Sequence, residues 1–147
     1  MELTGNALHP GSGAGRLFVL RKPVSFWGGV DPLKGIVADP RHPQHGKSLC
    51  GRILVMERTI GSSSSSAIML ELLRNRVSPA GIVLGRPDAI LMLGILVARE
   101  LGYPTVPVVQ VDESGIERLA RAEGRRATIT DGVVEVVVRP SPRQGSA

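Results

Sequence analysis

A glycine followed by five consecutive serines, Gly61, Ser62, Ser63, Ser64, Ser65 and Ser66, is the segment best suited to chemistry. An unassisted serine hydroxyl is a very poor base, so one that accepts a proton needs a field that stabilises its anion. The flanking sequence supplies one. Residues 52–56 (RILVM) read as a strand buried on both faces. Beyond the serines, Ile68, Met69, Leu72 and Leu73 recur at the three- and four-residue spacing of an amphipathic helix, closed at its negative end by Arg74 and Arg76. Several of the serines therefore occupy the cap and first turn of that helix, where free N–H groups and the positive dipole end hold a carboxylate or phosphate. The same field would stabilise a serine oxygen losing its proton. Serine runs are usually flexible linkers, but strand and helix leave no room for one here. A role confined to capping the helix is the alternative.

A second candidate is Ser25-Phe26-Trp27-Gly28-Gly29-Val30-Asp31-Pro32, which sets an aromatic, two flexible glycines and a carboxylate within eight residues. Such a segment fits a loop closing over a ligand; a tight turn with a packed tryptophan is the plainer reading. His42 and His45 share a loop with Lys47 and have no third metal ligand nearby, so a solvated or interface role is expected for them. Cys50, leading into the buried strand, reads as a small core residue. No phosphate-loop lysine motif, G-x-S-x-G elbow or HExxH occurs, and GSGAG at 11–15 lacks the context of a nucleotide loop.

The elements positioning these residues alternate. Residues 1–14 are glycine-rich and turn-like, expected to be flexible, and order begins at a strand over 15–20 (GRLFVL). A long polar stretch over 21–51, with a short strand at 35–38, is long enough to be functional. After the serine helix come a buried strand at 81–84, a helix over 89–101 capped by Asp88, a strand at 106–111, and a helix capped by Asp112 that ends at Gly124. Strands at 127–130 and 133–138 flank Asp131-Gly132, a two-residue hairpin signal. Residues 140–147 are expected to be flexible. The pattern predicts one α/β domain over 1–147, a layered mixed sheet with flanking helices.

Composition narrows the function classes. Of 147 residues, 42% are hydrophobic and 21% charged, which suits a globular core. No run of 18 or more apolar residues and no secretory signal pattern occur, so no membrane association and a cytoplasmic location are expected. The balance of 18 Lys+Arg against 13 Asp+Glu permits an anionic substrate, an acidic partner or nucleic acid. Because the basic residues near 117–126 are interleaved with Glu117 and Glu123, and only four aromatics exist to stack on bases, nucleic acid is not the expected partner. A basic binding module remains the competing class. Cys50 is the single cysteine, so any cysteine-held cluster must come from another chain.

Four segments, SFWGGVDPLKGIV, HPQHGKSLCGRILV, GSSSSSA and PAGIVLGRPDAILMLGILVA, resemble in order and spacing the small subunit of the aconitase X family, over roughly residues 15 to 110. The resemblance implies a swivelling β/β/α domain like the fourth domain of aconitase, closing over iron or an iron–sulfur cluster held by a separate large subunit, with activity requiring both chains. Gly61-Ser62-Ser63 matches the first three positions of aconitase's Gly-Ser-Ser-Arg turn, and Ser64 replaces the arginine. The resemblance implies Ser62 as general base, Ser63 and Ser64 as substrate contacts, and Ser25, Trp27, Gly28, Gly29 and Asp31 as closure-loop contributors. A short hydroxyl at 64 cannot form the two-pronged ion pair of an arginine, so a different acid is implied. Two family activities are expected: dehydration of cis-3-hydroxy-L-proline, favoured by the arginine-rich composition, and dehydration of mevalonate 5-phosphate. In the first, the base removes the proton alpha to the carboxylate while iron takes the neighbouring hydroxyl.

Overall fold

A computed structural model describes residues 1–61 and 63–137. Its frame is four parallel strands, β3 (Ser12–Val19), β6 (Ile53–Met56), β7 (Gly81–Leu84) and β8 (Val108–Gln110), with Leu17 opposite Ile53, Leu54 opposite Ile82 and Val83 opposite Val109. Every residue of β6 and β7 is buried, which is why these strands read as unbroken apolar runs. Helices α2 (Ser65–Arg74) and α3 (Ala89–Glu100) are the crossovers between successive strands and pack against each other.

An antiparallel layer continues from β3. The hairpin of β9 (Arg126–Thr130) and β10 (Val133–Val136) turns through Asp131 and Gly132, both at positive φ, and β9 pairs with Ser12–Arg16 of β3. At the two ends of the strand order lie β1 (Glu2–Thr4), beside β10, and β2 (Asn6–His9), beside β8. Only Gly5 separates β1 from β2, so the edges of the sheet meet there and the sheet folds into two facing layers. A side chain at Gly5 would bring its Cβ to 2.2 Å from the Gln110 carbonyl oxygen.

Successive residues of each strand feed two cores. Leu17, Ile53, Val55, Val83, Val109, Ile129 and Val134 fill the space between the sheet layers, joined by Leu119 of α4 (Glu113–Ala120). Phe18, Leu54, Met56, Ile82 and Leu84 face the other way, onto Met69, Leu72, Leu91 and Ile95 of the helices. The result is a sheet, sheet and helix layering, the β/β/α arrangement that the family resemblance implies.

Three expectations are corrected. Residues 1–14 are not turn-like: they form β1, β2 and the start of β3, because Gly13 and Gly15 let the backbone approach the Ala80 and Gly51 carbonyl oxygens so closely that an added Cβ would lie 2.1 and 2.2 Å away. The helix capped by Asp112 ends at Ala120, and a turn carries the chain to Gly124, at φ 84°. Cys50 is exposed in the turn before β6, its Sγ 4.0 Å from the Arg76 carbonyl oxygen, rather than a core residue. Residue 138, read as the end of the last strand, and residues 140–147 lie outside the described residues.

Candidate active site at the open end of the parallel strands

Where β3, β6 and β7 end, three loops are tied together. Leu20 N–H donates to Val55 O (2.9 Å), Gly85 N–H to Met56 O (2.9 Å) and Ile60 N–H to Val24 O (3.2 Å). The Thr59 hydroxyl donates to the Asp88 carboxylate. This is the carboxyl end of the parallel strands, the side on which open α/β sheets bind ligands.

The serine turn leaves this edge. Ser62 itself lies outside the described residues; Gly61 and Ser63 on either side of it are exposed. Ser64 stands at the N-cap of α2 with no side-chain cap hydrogen bond, and no acidic residue occupies the first turn. Its carbonyl oxygen accepts from Ala67 N–H (3.1 Å) and Ile68 N–H (3.3 Å). Ser66 Oγ donates back to Ser63 O at 3.0 Å. Ser65 is 4% exposed, and its hydroxyl is buried without a hydrogen-bond partner, an unmet polar demand at the start of the helix.

Against this turn lies the aromatic loop. Phe26 is fully buried and anchors α1 (Phe26–Gly29), a single turn interrupted by extended backbone at Trp27 and positive φ (82°) at Gly28. Trp27 consequently projects outward, 58% exposed, so the packed-tryptophan reading does not hold. Ser25 Oγ donates to Trp27 O (3.0 Å) and fixes the bend, while Gly29 packs so tightly on Val24 that a Cβ would lie 2.7 Å from its Cγ2. The Ile60–Val24 hydrogen bond and the packing of α1 on α2 hold the loop carrying Ser25, Trp27, Gly28 and Gly29 against α2 and the segment that leads into the serines.

Asp31 is not brought there. It turns the hairpin of β4 (Val30–Asp31) and β5 (Ile36–Val37), its Oδ1 accepting from Leu33 N–H (2.8 Å) and Lys34 N–H (3.2 Å). The adjacent Pro32 carbonyl oxygen accepts from Asn75 Nδ2 at 2.9 Å, at the far end of α2, a helix about 15 Å long by its rise per residue. Asp31 Oδ1 is thus engaged in forming this turn.

His42 is also corrected: it is buried, not solvated. Its Nδ1 accepts from Gln44 N–H (3.0 Å), so its Nε2 carries the proton donated to Lys22 O (3.0 Å). Gln44, which sequence reasoning missed, accepts at Oε1 from Arg21 N–H (2.9 Å) and donates from Nε2 to Val19 O (2.9 Å). A lone glutamine in a loop carries no periodic signal; the only cue was its place between His42 and His45. His45 is exposed. Among the described residues no three His, Cys, Asp or Glu side chains stand close enough to hold a metal, so the described residues offer no donor set that fits an iron site.

Two concavities open along this edge. One of about 580 Å³ lies between β1, the end of β8 and the start of α4, lined by Asn6, Gln110, Asp112 and Arg118 among others. The other, of about 310 Å³, lies at the ends of β3 and β6, lined by Leu20, Arg21, Lys22, Pro23, Met56, Glu57 and Arg58. The described residues of the serine turn line neither; of them Gly61 and Ser63 are exposed and Ser65 is buried. No helix among the described residues is long and apolar enough to cross a membrane.

Comparisons with known proteins agree with this fold. The cis-3-hydroxy-L-proline dehydratase of Pseudomonas aeruginosa is 38% identical over 136 residues, 89% of this chain but 23% of that protein, so the chain spans about a quarter of that relative's length. The phosphomevalonate dehydratase small subunit of Thermococcus onnurineus is 34% identical over 136 residues, covering 92% of this chain and 98% of the relative. The holo-form crystal structure of Thermococcus kodakaraensis aconitase X superimposes with a TM-score of 0.80 at 31% identity, over 94% of this chain and 99% of that one. The family description "Aconitase X swivel domain" matches residues 2–136. With that match spanning all but the ends of the sequence, the chain belongs to the aconitase X swivel-domain family.

Proposed function

We propose that this chain is the small subunit of a heteromeric hydro-lyase of the aconitase X type, in which Ser62 removes the proton alpha to the carboxylate of cis-3-hydroxy-L-proline. The observation that carries the reading is the carboxylate-free start of α2 at the open strand ends, preceded by exposed Gly61 and Ser63. The positive end of the helix dipole lowers the cost of a serine alkoxide there. Ser63 and Ser64 are its hydroxyl contacts. The exposed Trp27, held by Ser25 and bent at Gly28 and Gly29, covers the substrate and excludes water when a second body approaches. Asp31 has no part in this reading.

The single cysteine and the absence of a clustered donor set among the described residues support a large subunit as the holder of iron or an iron–sulfur cluster. This chain's share of the reaction is proton removal, anion contact and closure, and no step of it runs through a metal. A cytoplasmic location fits such an enzyme. A second substrate, mevalonate 5-phosphate, is favoured by a specific observation: relatives matching this chain over nearly their whole length are phosphomevalonate dehydratase small subunits.

Purifying the chain alone and with its cysteine-bearing large partner, and assaying water loss from both substrates, tests the reading. Turnover of cis-3-hydroxy-L-proline by the pair alone is expected. Turnover by the isolated chain would defeat the split site, and exclusive turnover of mevalonate 5-phosphate would select the second substrate.

A further inference from the structure

The ends of β3, β6 and β7 carry four cations, Arg21, Lys22, Arg58 and Arg86, around one carboxylate, Glu57. Glu57 meets Nε of Arg58 at 3.8 Å and Nε of Arg86 at 3.5 Å, contacts that leave the outer guanidinium edges to other partners. The nearby Asp88 carboxylate is spent on the α3 cap and Thr59. Exposed pairs of this kind contribute little to folding, and Arg58, Glu57 and Arg86 are 49%, 48% and 70% exposed, so stability does not account for the cluster.

The edge is nonetheless built with care. His42 and Gln44, 7% and 8% exposed, spend their side chains on the Val19, Arg21 and Lys22 backbone and fix the strand end that bears two of the cations. Gly85 lets the third strand end approach: a Cβ there would lie 2.7 Å from the Glu57 carbonyl oxygen. Between these walls lies the 310 Å³ concavity, large enough for a small acid. Arg58, on its rim, precedes Ser62 by four residues in the same loop.

Resting on the proposed dehydratase reading, we infer that the Arg21, Lys22 and Arg58 cavity is the subsite for the substrate's oxyanion group, a carboxylate or a phosphate. The described serines offer only short hydroxyls; the guanidinium of Arg58, four residues before Ser62 in the sequence, and the Lys22 ammonium supply the charge that a bound oxyanion needs. Arg58 takes the oxyanion with its outer edge while Glu57 holds its Nε, and Arg21 and Lys22 close the opposite wall.

The test uses the assembled two-subunit enzyme carrying Arg58→Gln, Arg58→Lys or, as a distant control on α4, Arg118→Gln. KM is measured for cis-3-hydroxy-L-proline and mevalonate 5-phosphate, and binding of inorganic phosphate and of acetate by calorimetry. Arg58→Gln is expected to raise KM and weaken the oxyanion probe about ten- to a hundredfold, the loss of one hydrogen bond to a charged group. Arg58→Lys should recover part of it and Arg118→Gln none should be lost. An effect on phosphate and mevalonate 5-phosphate alone identifies a phosphate subsite; one on acetate and cis-3-hydroxy-L-proline, a carboxylate subsite. Unchanged KM and probe binding in Arg58→Gln overturns the inference, as does weakened subunit assembly with unchanged KM, which would make the edge a subunit contact. Should the wild-type pair turn over neither substrate, the dehydratase reading fails on its own, and calorimetry still decides: unweakened or absent probe binding rejects the subsite.

Discussion

Helices α2 and α3 leave adjacent strands, pack against each other and begin close together through Thr59 and Asp88, yet their first turns are finished differently. At α3, Asp88 Oδ1 accepts from Ile90 N–H (3.0 Å) and Leu91 N–H (3.1 Å). At α4, Asp112 does the same for Gly115 N–H at 2.8 Å. A carboxylate in that position satisfies orphan donors and opposes the positive dipole end. Helix α2 has a serine at its N-cap, no side-chain cap bond and no acid in its first turn. The contrast is one of charge: two helix starts carry a capping carboxylate, and the third carries none.

Removing a cap from the closed starts should have the largest effect on folding. Asp88→Ala deletes two N–H acceptors and the Thr59 partner and is expected to cost about 1–2 kcal/mol in chemical denaturation. A loss indistinguishable from zero would erase the stabilising half of the comparison. Asp112→Ala removes a single acceptor, and about 1 kcal/mol is expected from the same measurement. At the carboxylate-free start, Ser64→Asp should instead stabilise the chain by about 0.5 kcal/mol, while turnover of the assembled enzyme falls because a fixed carboxylate opposes the Ser62 alkoxide. Unchanged turnover would mean that charge at the first turn of α2 does not bear on proton removal. Trp27→Ala should change stability least, by less than about 0.5 kcal/mol, since the ring is more than half exposed, yet lower turnover.

Both closed starts were legible in the sequence because each pairs an aspartate with apolar spacing behind it, and the helix after Asp88 ends within one residue of its expected limit. The buried strand at 81–84 and the Asp131-Gly132 hairpin were equally plain. The first fourteen residues were not, because their glycines signal a turn locally while serving close backbone approach to Ala80 and Gly51, a condition set by residues far along the chain. At the site, the strand–serine–helix order was readable, whereas the separation of Asp31 from Ser25 along α2 was not: eight contiguous residues gave no hint that their two ends serve opposite ends of a helix. Nor did sequence suggest that His42 and Gln44 hold the end of β3, since side chain to backbone bonds across twenty or so residues leave no pattern.

The central claim is that the open start of α2 delivers a proton acceptor at Ser62. Its most direct test is Ser62→Ala in the assembled enzyme, with turnover and subunit affinity measured on the same preparation. Loss of turnover on the order of 10²–10⁴-fold with unchanged assembly is the predicted result. Turnover within a few fold of the wild type would contradict the account and move the base to another residue.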